Sequence, residues 1–162
     1  MKIDVEWMVL AERVIEDRAT HSLTLVGCLS ELRAPDFPAL HHGFAVAARL
    51  RCRDRAPETD ATVSFRLQRF STNDPEQTIL ETSGTWPAGA RSIQWVTNFQ
   101  VLRLLRAETV HFRLDHRAGP GAWRRGPVAA LDVLALGLSD EERAAVKAHW
   151  RSLLQPSGTE PS

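Results

Sequence analysis

The sequence predicts a mainly β protein, an antiparallel β-sandwich of about eight strands with one C-terminal α-helix. Three observations support this fold class: short segments that alternate apolar and polar residues, turn-forming residues between them, and one capped helical segment after the last strand. A parallel sheet would need crossover helices between its strands, and the sequence offers none. The 162 residues match the usual size of one domain.

The strongest strand signal runs over residues 43–53. After a turn at residues 57–60, residues 63–68 repeat the alternation, which predicts an antiparallel neighbour for the first strand. One face of the first strand is apolar, and the other carries small residues and arginines. The apolar face comprises Phe44, Val46, Ala48, Leu50 and Cys52, and the second face Ala45, Ala47, Arg49, Arg51 and Arg53.

The other strands follow from the same alternation and from the turns between them. Two prolines at positions 35 and 38 predict a loop or crossover, because proline cannot donate a ladder hydrogen bond. The last β segment is almost continuously apolar, as expected where both faces of a strand are covered. The predicted segments are 3–15 and 22–27 as a hairpin, then 78–86, 92–102, 109–117 and 127–136.

The helix begins at Ser139. Ser139 and Glu142 have capping-box spacing, and the acidic residues between them favour a helix N-terminus. Apolar residues spaced by three and four predict a face that docks on the sandwich, namely Val146, Trp150, Leu153 and Leu154. The predicted organisation is a sandwich over 1–137, a packed helix over 138–155 and a disordered tail over 156–162.

Several segments resemble a widespread bacterial family of small β-sandwich domains of unknown function, whose members start with a hairpin and continue into a meander. The resemblance spans roughly residues 5–136 and implies a fold without an activity, a substrate or catalytic residues. Its late strand pair departs from the family, whose members often have a Pro-Gly turn followed by an aromatic residue where this chain has residues 105–109. The resembling parts are Ala11, Leu23 to Gly27, Pro35 to Pro38, Phe44 to Ala47, Asn98 to Val101 and Val110 to Asp115.

Composition argues against several classes of protein. Acidic and basic residues balance at 20 each, so no overall charge draws the chain to nucleic acid or to an anionic membrane. The first residues lack the apolar run of a signal peptide, and no apolar stretch is long enough to cross a bilayer. We therefore expect a cytoplasmic protein without membrane insertion, in which Cys28 and Cys52 are buried free thiols.

No motif in the sequence carries recognisable chemistry. The six histidines have no ligand spacing, since His41 and His42 point to opposite faces of a strand and His111 and His116 have opposite parity. A nucleophile elbow and a phosphate-binding loop are both missing. We therefore expect no cofactor, no metal site and no catalytic residue.

The best functional signal is a set of arginines with one tryptophan. Trp123 lies between small residues and two arginines and is expected at a contact surface, whereas the other tryptophans fall among apolar periodicities. Arginine side chains suit carboxylates, phosphates and aromatic faces. The predicted partner-binding residues are Arg49, Arg51, Arg53, Arg66, Trp123, Arg124 and Arg125.

Three hypotheses from different classes remain. The favoured one is a non-enzymatic protein-binding or scaffold module of a bacterial assembly, with a protein partner or with self-association through Ala45 and Ala47. The second is a nucleic-acid-associated module that uses the arginine-rich face, which steep salt dependence would reveal. The third is an enzyme with a dispersed site, which a hydrogen-bonded histidine, carboxylate and nucleophile in one pocket would support.

Overall fold

The chain forms nine strands within the residues that the computed structural model describes, which are 1–17, 19–20, 22–145 and 148. The mainly β prediction is confirmed. The alternating pattern did not predict the short third strand, at Glu31–Ala34. The strands are β1 (Ile3–Glu16), β2 (Leu23–Cys28), β3 (Glu31–Ala34), β4 (Ala39–Cys52), β5 (Ala61–Ser71), β6 (Gln77–Trp86), β7 (Ser92–Leu104), β8 (Glu108–Ala118) and β9 (Val128–Ala135).

The strands form two sheets. Sheet A has the order β2-β1-β4-β7, and sheet B has the order β3-β9-β8-β5-β6. The predicted hairpin of β1 and β2 is present. Sheet B is mixed, because β3 lies parallel to β9 while the remaining pairs are antiparallel.

The core lies between the two sheets. Phe44 of β4 stacks on Phe99 of β7 with ring centroids 4.7 Å apart, and it also contacts Phe112 of β8 at 5.7 Å. Trp86 is fully buried, and its indole N–H donates to the carbonyl oxygen of Ala90 at 2.8 Å. This hydrogen bond satisfies the polar atom of a tryptophan inside an apolar core.

The prediction that the strand at 63–68 pairs with the strand at 43–53 is wrong. β4 pairs with β1 and β7, whereas β5 pairs with β6 and β8 in the other sheet. The connection over residues 53–60 therefore crosses between the sheets. Alternation reveals which face of a strand is buried, but it carries no information about which strand lies alongside.

The expected exposed alanine face is also wrong. Ala45 and Ala47 are both 0% exposed. Ala47 is paired with Val9 on β1 and with Val96 on β7, and these larger side chains shield its methyl group from solvent. Self-association through these alanines is therefore not available on this surface.

The last strand has one covered face rather than two. Leu131 and Val133 are buried, but Val128 is 51% exposed and Leu134 is 39% exposed. The apolar run therefore predicted more burial of β9 than the structure shows.

Of the two cysteines, Cys52 is buried as expected, while Cys28 is exposed on the short edge strand β2.

The helix begins where the capping pattern predicts. The backbone N–H and hydroxyl of Ser139 donate to Glu142 Oε2 at 2.8 Å, and the backbone N–H of Glu142 donates back to the hydroxyl at 3.3 Å. Residues 140–145 and 148 are helical. The predicted docking residues Val146, Trp150, Leu153 and Leu154 and the tail lie outside the described residues. None of the helical residues described forms a segment long and apolar enough to span a membrane.

Candidate functional site

A cleft of about 690 Å³ opens at one end of the sandwich, where the start of β1, the end of β4 and the loop between β8 and β9 meet. Four arginines and two carboxylates line it, so positive charge exceeds negative charge. The lining residues are Asp4, Val5, Glu6, Arg51, Cys52, Arg53, Arg91, His116, Arg125, Gly126 and Pro127.

Two of the four arginines are already ion-paired to β1. Arg51 contacts Glu6 at 3.2 Å, and Arg53 pairs with Asp4. Arg49 shares Glu6, also at 3.2 Å, although it does not line the cleft. The antiparallel register of β1 and β4 places Asp4 directly opposite Arg51, and the ion pairs join residues that are diagonal neighbours across the two strands. Their side chains stay largely exposed, so each pair is worth at most about 1 kcal/mol.

The other two arginines, Arg91 and Arg125, have no carboxylate partner among the described residues. Arg91 lies just before β7, and its carbonyl oxygen accepts a hydrogen bond from the backbone N–H of Cys52 at 2.9 Å, which fixes it beside the end of β4. Both residues are exposed. Two guanidinium groups thus present their full set of donors to the cleft.

Backbone pairing and a glycine hold the loop that carries Arg125. The backbone groups of Arg124 and His116 exchange two hydrogen bonds at 2.8 and 3.0 Å. Gly126 then packs directly against the backbone of β8, where any side chain would overlap the carbonyl oxygen of Leu114. This close approach keeps Arg125 at the cleft.

His116 belongs to the cleft lining but is only 3% exposed. Its Nε2–H donates to the carbonyl oxygen of Ile3 at 2.9 Å, which ties sheet B to the first residue of β1. Its Nδ1 is buried and has no hydrogen-bond partner among the described residues. Burial lowers the pKa of His116, and the nearby charge of Arg124 lowers it too, while the hydrogen bond to Ile3 and the charge of Asp115 oppose the shift.

The cleft holds a cysteine, a histidine and carboxylates, but they are not connected as a catalytic site requires. The thiol of Cys52 donates to the carbonyl oxygen of Arg55 at 3.6 Å rather than to His116. His116 uses one ring nitrogen on Ile3, and the other has no partner. A base must contact both its nucleophile and an orienting group. The described residues of this cleft therefore do not form the hydrogen-bonded histidine, carboxylate and nucleophile that the enzyme hypothesis requires.

Trp123 lies on the outer face of sheet B, half-buried between two guanidinium groups. The Arg66 guanidinium carbon is 4.2 Å from the ring centroid, and that of Arg117 is 4.5 Å away. Arg66 in turn makes two hydrogen bonds to Glu81, at 3.0 and 3.1 Å. Each partner is already engaged within the protein, so Trp123 stabilises this face more than it offers a free aromatic surface.

The structure therefore divides the predicted set of binding residues. It brings Arg51, Arg53 and Arg125 together at the cleft. Arg66 and Trp123 lie on the opposite sheet, because β5 belongs to sheet B. Arg49 lies next to the cleft through Glu6, and Arg124 positions the loop through its backbone.

Sequence reasoning missed Arg91 and His116 as members of a site. Arg91 lies in a turn between two strands and has no neighbouring basic residue, and His116 has the inward parity of a core residue. Only the meeting of separate segments reveals them. Within the described part of the chain, no three histidine, cysteine or acidic side chains are placed to hold a metal ion.

The fold and the cleft define a β-sandwich with an arginine-lined end. The chain belongs to a family of unknown function, DUF6941, whose model matches residues 6–117. This match confirms the resemblance to a family of small β domains without an assigned activity. The matched segment includes Arg51, Arg53, Arg91 and His116, whereas Arg125 lies beyond it.

No curated protein sequence matches the chain. Among solved structures, a Northeast Structural Genomics Consortium target, SoR45, is 12% identical with a TM-score of 0.39, covering 85% of this chain and 90% of its own. The cupredoxin domain of amoB from Nitrosocaldus yellowstonii is 14% identical with a TM-score of 0.35, covering 75% of this chain and 65% of its own. At these TM-scores neither similarity supports an inference about this chain.

Proposed function

We propose that this protein is a non-enzymatic, cytoplasmic binding module whose end cleft takes an acidic segment of a partner protein. The observation that carries the proposal is the convergence of Arg51, Arg53, Arg91 and Arg125 from separate segments on one open cleft. Two of these guanidinium groups have no partner among the described residues, so they are available to bind carboxylates as bidentate donors.

Several features favour a protein partner over nucleic acid. Asp4 and Glu6 interrupt the positive surface, and a polyphosphate chain laid along the cleft would meet both carboxylates. Among the residues that the structure describes, the cleft lining includes no phenylalanine, tyrosine or tryptophan on which a base could stack, and Trp123 is held between Arg66 and Arg117. A peptide has carboxylates only at some positions of its chain, so it can pair with the guanidinium groups without placing a negative charge beside Asp4 and Glu6.

The test measures binding of a fluorescent glutamate-glycine peptide to the wild-type protein and to two variants. Arg91→Glu with Arg125→Glu places two carboxylates in the cleft, so we expect affinity to fall by about tenfold or more. Arg13→Glu is a matched control for one charge reversal, because Arg13 is exposed on β1 and does not line the cleft. It should retain wild-type affinity at equal ionic strength.

Copurification of the tagged protein from its native cells, followed by mass spectrometry, then identifies the partner. We expect a stoichiometric companion that is lost with the double cleft variant and retained with Arg13→Glu. Absence of peptide binding together with recovery of the protein alone would overturn the proposal. Binding of random-sequence DNA or RNA with steep salt dependence, without peptide binding, would favour the nucleic-acid hypothesis instead.

A further inference from the structure

The buried ring of His116 belongs to the lining of the cleft and leaves one of its two nitrogens unused. His116 is 3% exposed, and its Nε2–H donates to the carbonyl oxygen of Ile3 at 2.9 Å. Nδ1 is buried too and has no hydrogen-bond partner among the described residues. Most buried polar atoms in native proteins have a partner, and an exception is one mark of a functional group.

The hydrogen bond to Ile3 determines what Nδ1 can do. Because Ile3 offers a carbonyl oxygen, Nε2 carries a proton, and the neutral ring therefore has a lone pair on Nδ1. Nδ1 is thus the atom at which the ring gains a second proton. Protonation leaves the bond to Ile3 intact, so the ring can change its charge without breaking this link between the sheets.

The described surroundings of His116 oppose this second proton. Burial lowers the pKa of His116 and the charge of Arg124 lowers it further, while the hydrogen bond to Ile3 and the charge of Asp115 raise it. Arginines also outnumber carboxylates in the cleft lining, so the ring lies in a region of net positive charge. The charged or titratable groups that line the cleft with His116, or act on its charge, are Asp4 and Glu6 of β1, Arg51, Cys52 and Arg53 of β4, Arg91 before β7, Asp115 of β8, and Arg124 and Arg125 of the loop after β8.

We propose that His116 takes up a proton when an acidic segment occupies the cleft, and that this proton strengthens binding. The inference rests on the proposed function. Carboxylates seated among the four arginines bring negative charge to the lining that contains His116, and an opposite charge favours the protonated ring. The coupling is reciprocal, because a ligand that favours the proton is itself bound more tightly by the protonated protein. The arginines stay charged throughout, so the histidine supplies the pH dependence, and affinity rises as pH falls.

The test measures affinity for the glutamate-glycine peptide at pH 7.5 and at pH 5.5, a range in which glutamate carboxylates stay largely ionised. We expect the wild-type protein to bind with about threefold or higher affinity at pH 5.5. His116→Gln keeps an N–H for Ile3 but cannot gain a proton, so its affinity should depend much less on pH. His42→Gln makes the same change at an exposed position outside the cleft lining and should bind with the pH dependence of the wild-type protein.

A second measurement needs no variant. Nuclear magnetic resonance of the assigned ring protons of His116 follows its titration in the wild-type protein, and the pKa of His116 should be higher with the peptide bound than without it. Equal affinity at the two pH values, or a pKa that the peptide leaves unchanged, would overturn this inference while the proposed function stands. So would a pH dependence that persists in His116→Gln. Failure of the peptide to bind at either pH would overturn the proposed function and this inference together.

Discussion

His116 shows how burial at a single residue makes the fold sensitive to pH. Burial lowers its pKa below 6.5, so the folded state binds the proton less readily than the unfolded chain. Well above pH 6.5 both states carry a neutral ring, and His116 contributes no pH dependence. As pH falls below 6.5 the unfolded state takes up the proton first, so this residue lowers stability progressively until pH reaches the folded pKa.

We therefore expect His116→Gln to reduce the loss of unfolding free energy between pH 7.5 and pH 5. Glutamine keeps a side-chain N–H that can donate to the carbonyl oxygen of Ile3, but it does not titrate. Urea unfolding at both pH values measures the difference. Thr85→Gln, at an exposed position on β6, is the control and should unfold with the pH dependence of the wild-type protein, because it changes no titratable group. An equal pH dependence in His116→Gln and wild type would contradict this role.

Arg113 illustrates a second property of individual residues, since it faces outward from sheet B and is nevertheless only 7% exposed. Its guanidinium group donates two hydrogen bonds to Asp115 and two to Glu76, at 2.7–3.0 Å. These carboxylates raise the pKa of Arg113 above its ordinary value. Alternation would assign this residue to solvent, but it belongs to an ion network that is buried at Arg113 and Asp115 and exposed at Glu76.

At the level of elements, the loop between β8 and β9 links stability to the cleft. Its position depends on Gly126, because a side chain there would overlap the backbone of Leu114. We expect Gly126→Ala to shift the loop, to cost about 1–3 kcal/mol of stability and to weaken binding of the acidic peptide although Arg125 is unchanged. Urea unfolding and peptide fluorescence measure the two effects.

The matched control for this element is Gly137→Ala. Gly137 has open space around the position of an added methyl group and lies outside the cleft. Its replacement should leave both stability and peptide affinity close to wild type. Gly126→Ala with wild-type values for both quantities would show that the loop does not depend on this close approach.

At the scale of the whole molecule, Phe44 joins the two sheets through its contacts with Phe99 and Phe112. Phe44→Ala leaves a cavity between the sheets, and we expect it to lower the free energy of unfolding by about 3–5 kcal/mol. Circular dichroism and tryptophan fluorescence should report the same transition, because the sheets share one core. Separate transitions, or a loss no larger than in Phe70→Ala, would contradict this expectation, since Phe70 is half-buried and stacks on His111.

The sequence alone determined the class of fold, most strand positions and the start of the helix. Alternation places an apolar side chain on one face of a strand whatever its neighbours are, and a capping box satisfies the first helical N–H groups locally. These are short-range effects. They explain why Phe44, Val46 and Leu50 were correctly assigned to one apolar strand face and Ser139 to the helix N-terminus.

The tertiary structure decided which strands are neighbours and therefore which side chains meet. β4 and β5 have the same alternating pattern but lie in different sheets. Arg66 therefore lies away from Arg51 and Arg53, whereas Arg91 lies beside them at the cleft. Ala45 and Ala47 are buried by taller neighbours, and His116 reaches Ile3 over 113 positions of sequence. Pairing between strands depends on contacts between residues far apart in the chain. Period-two alternation describes only neighbouring residues, so it does not show which distant segment a strand pairs with. The cleft, formed from four separate segments, could therefore be recognised only once the chain was folded.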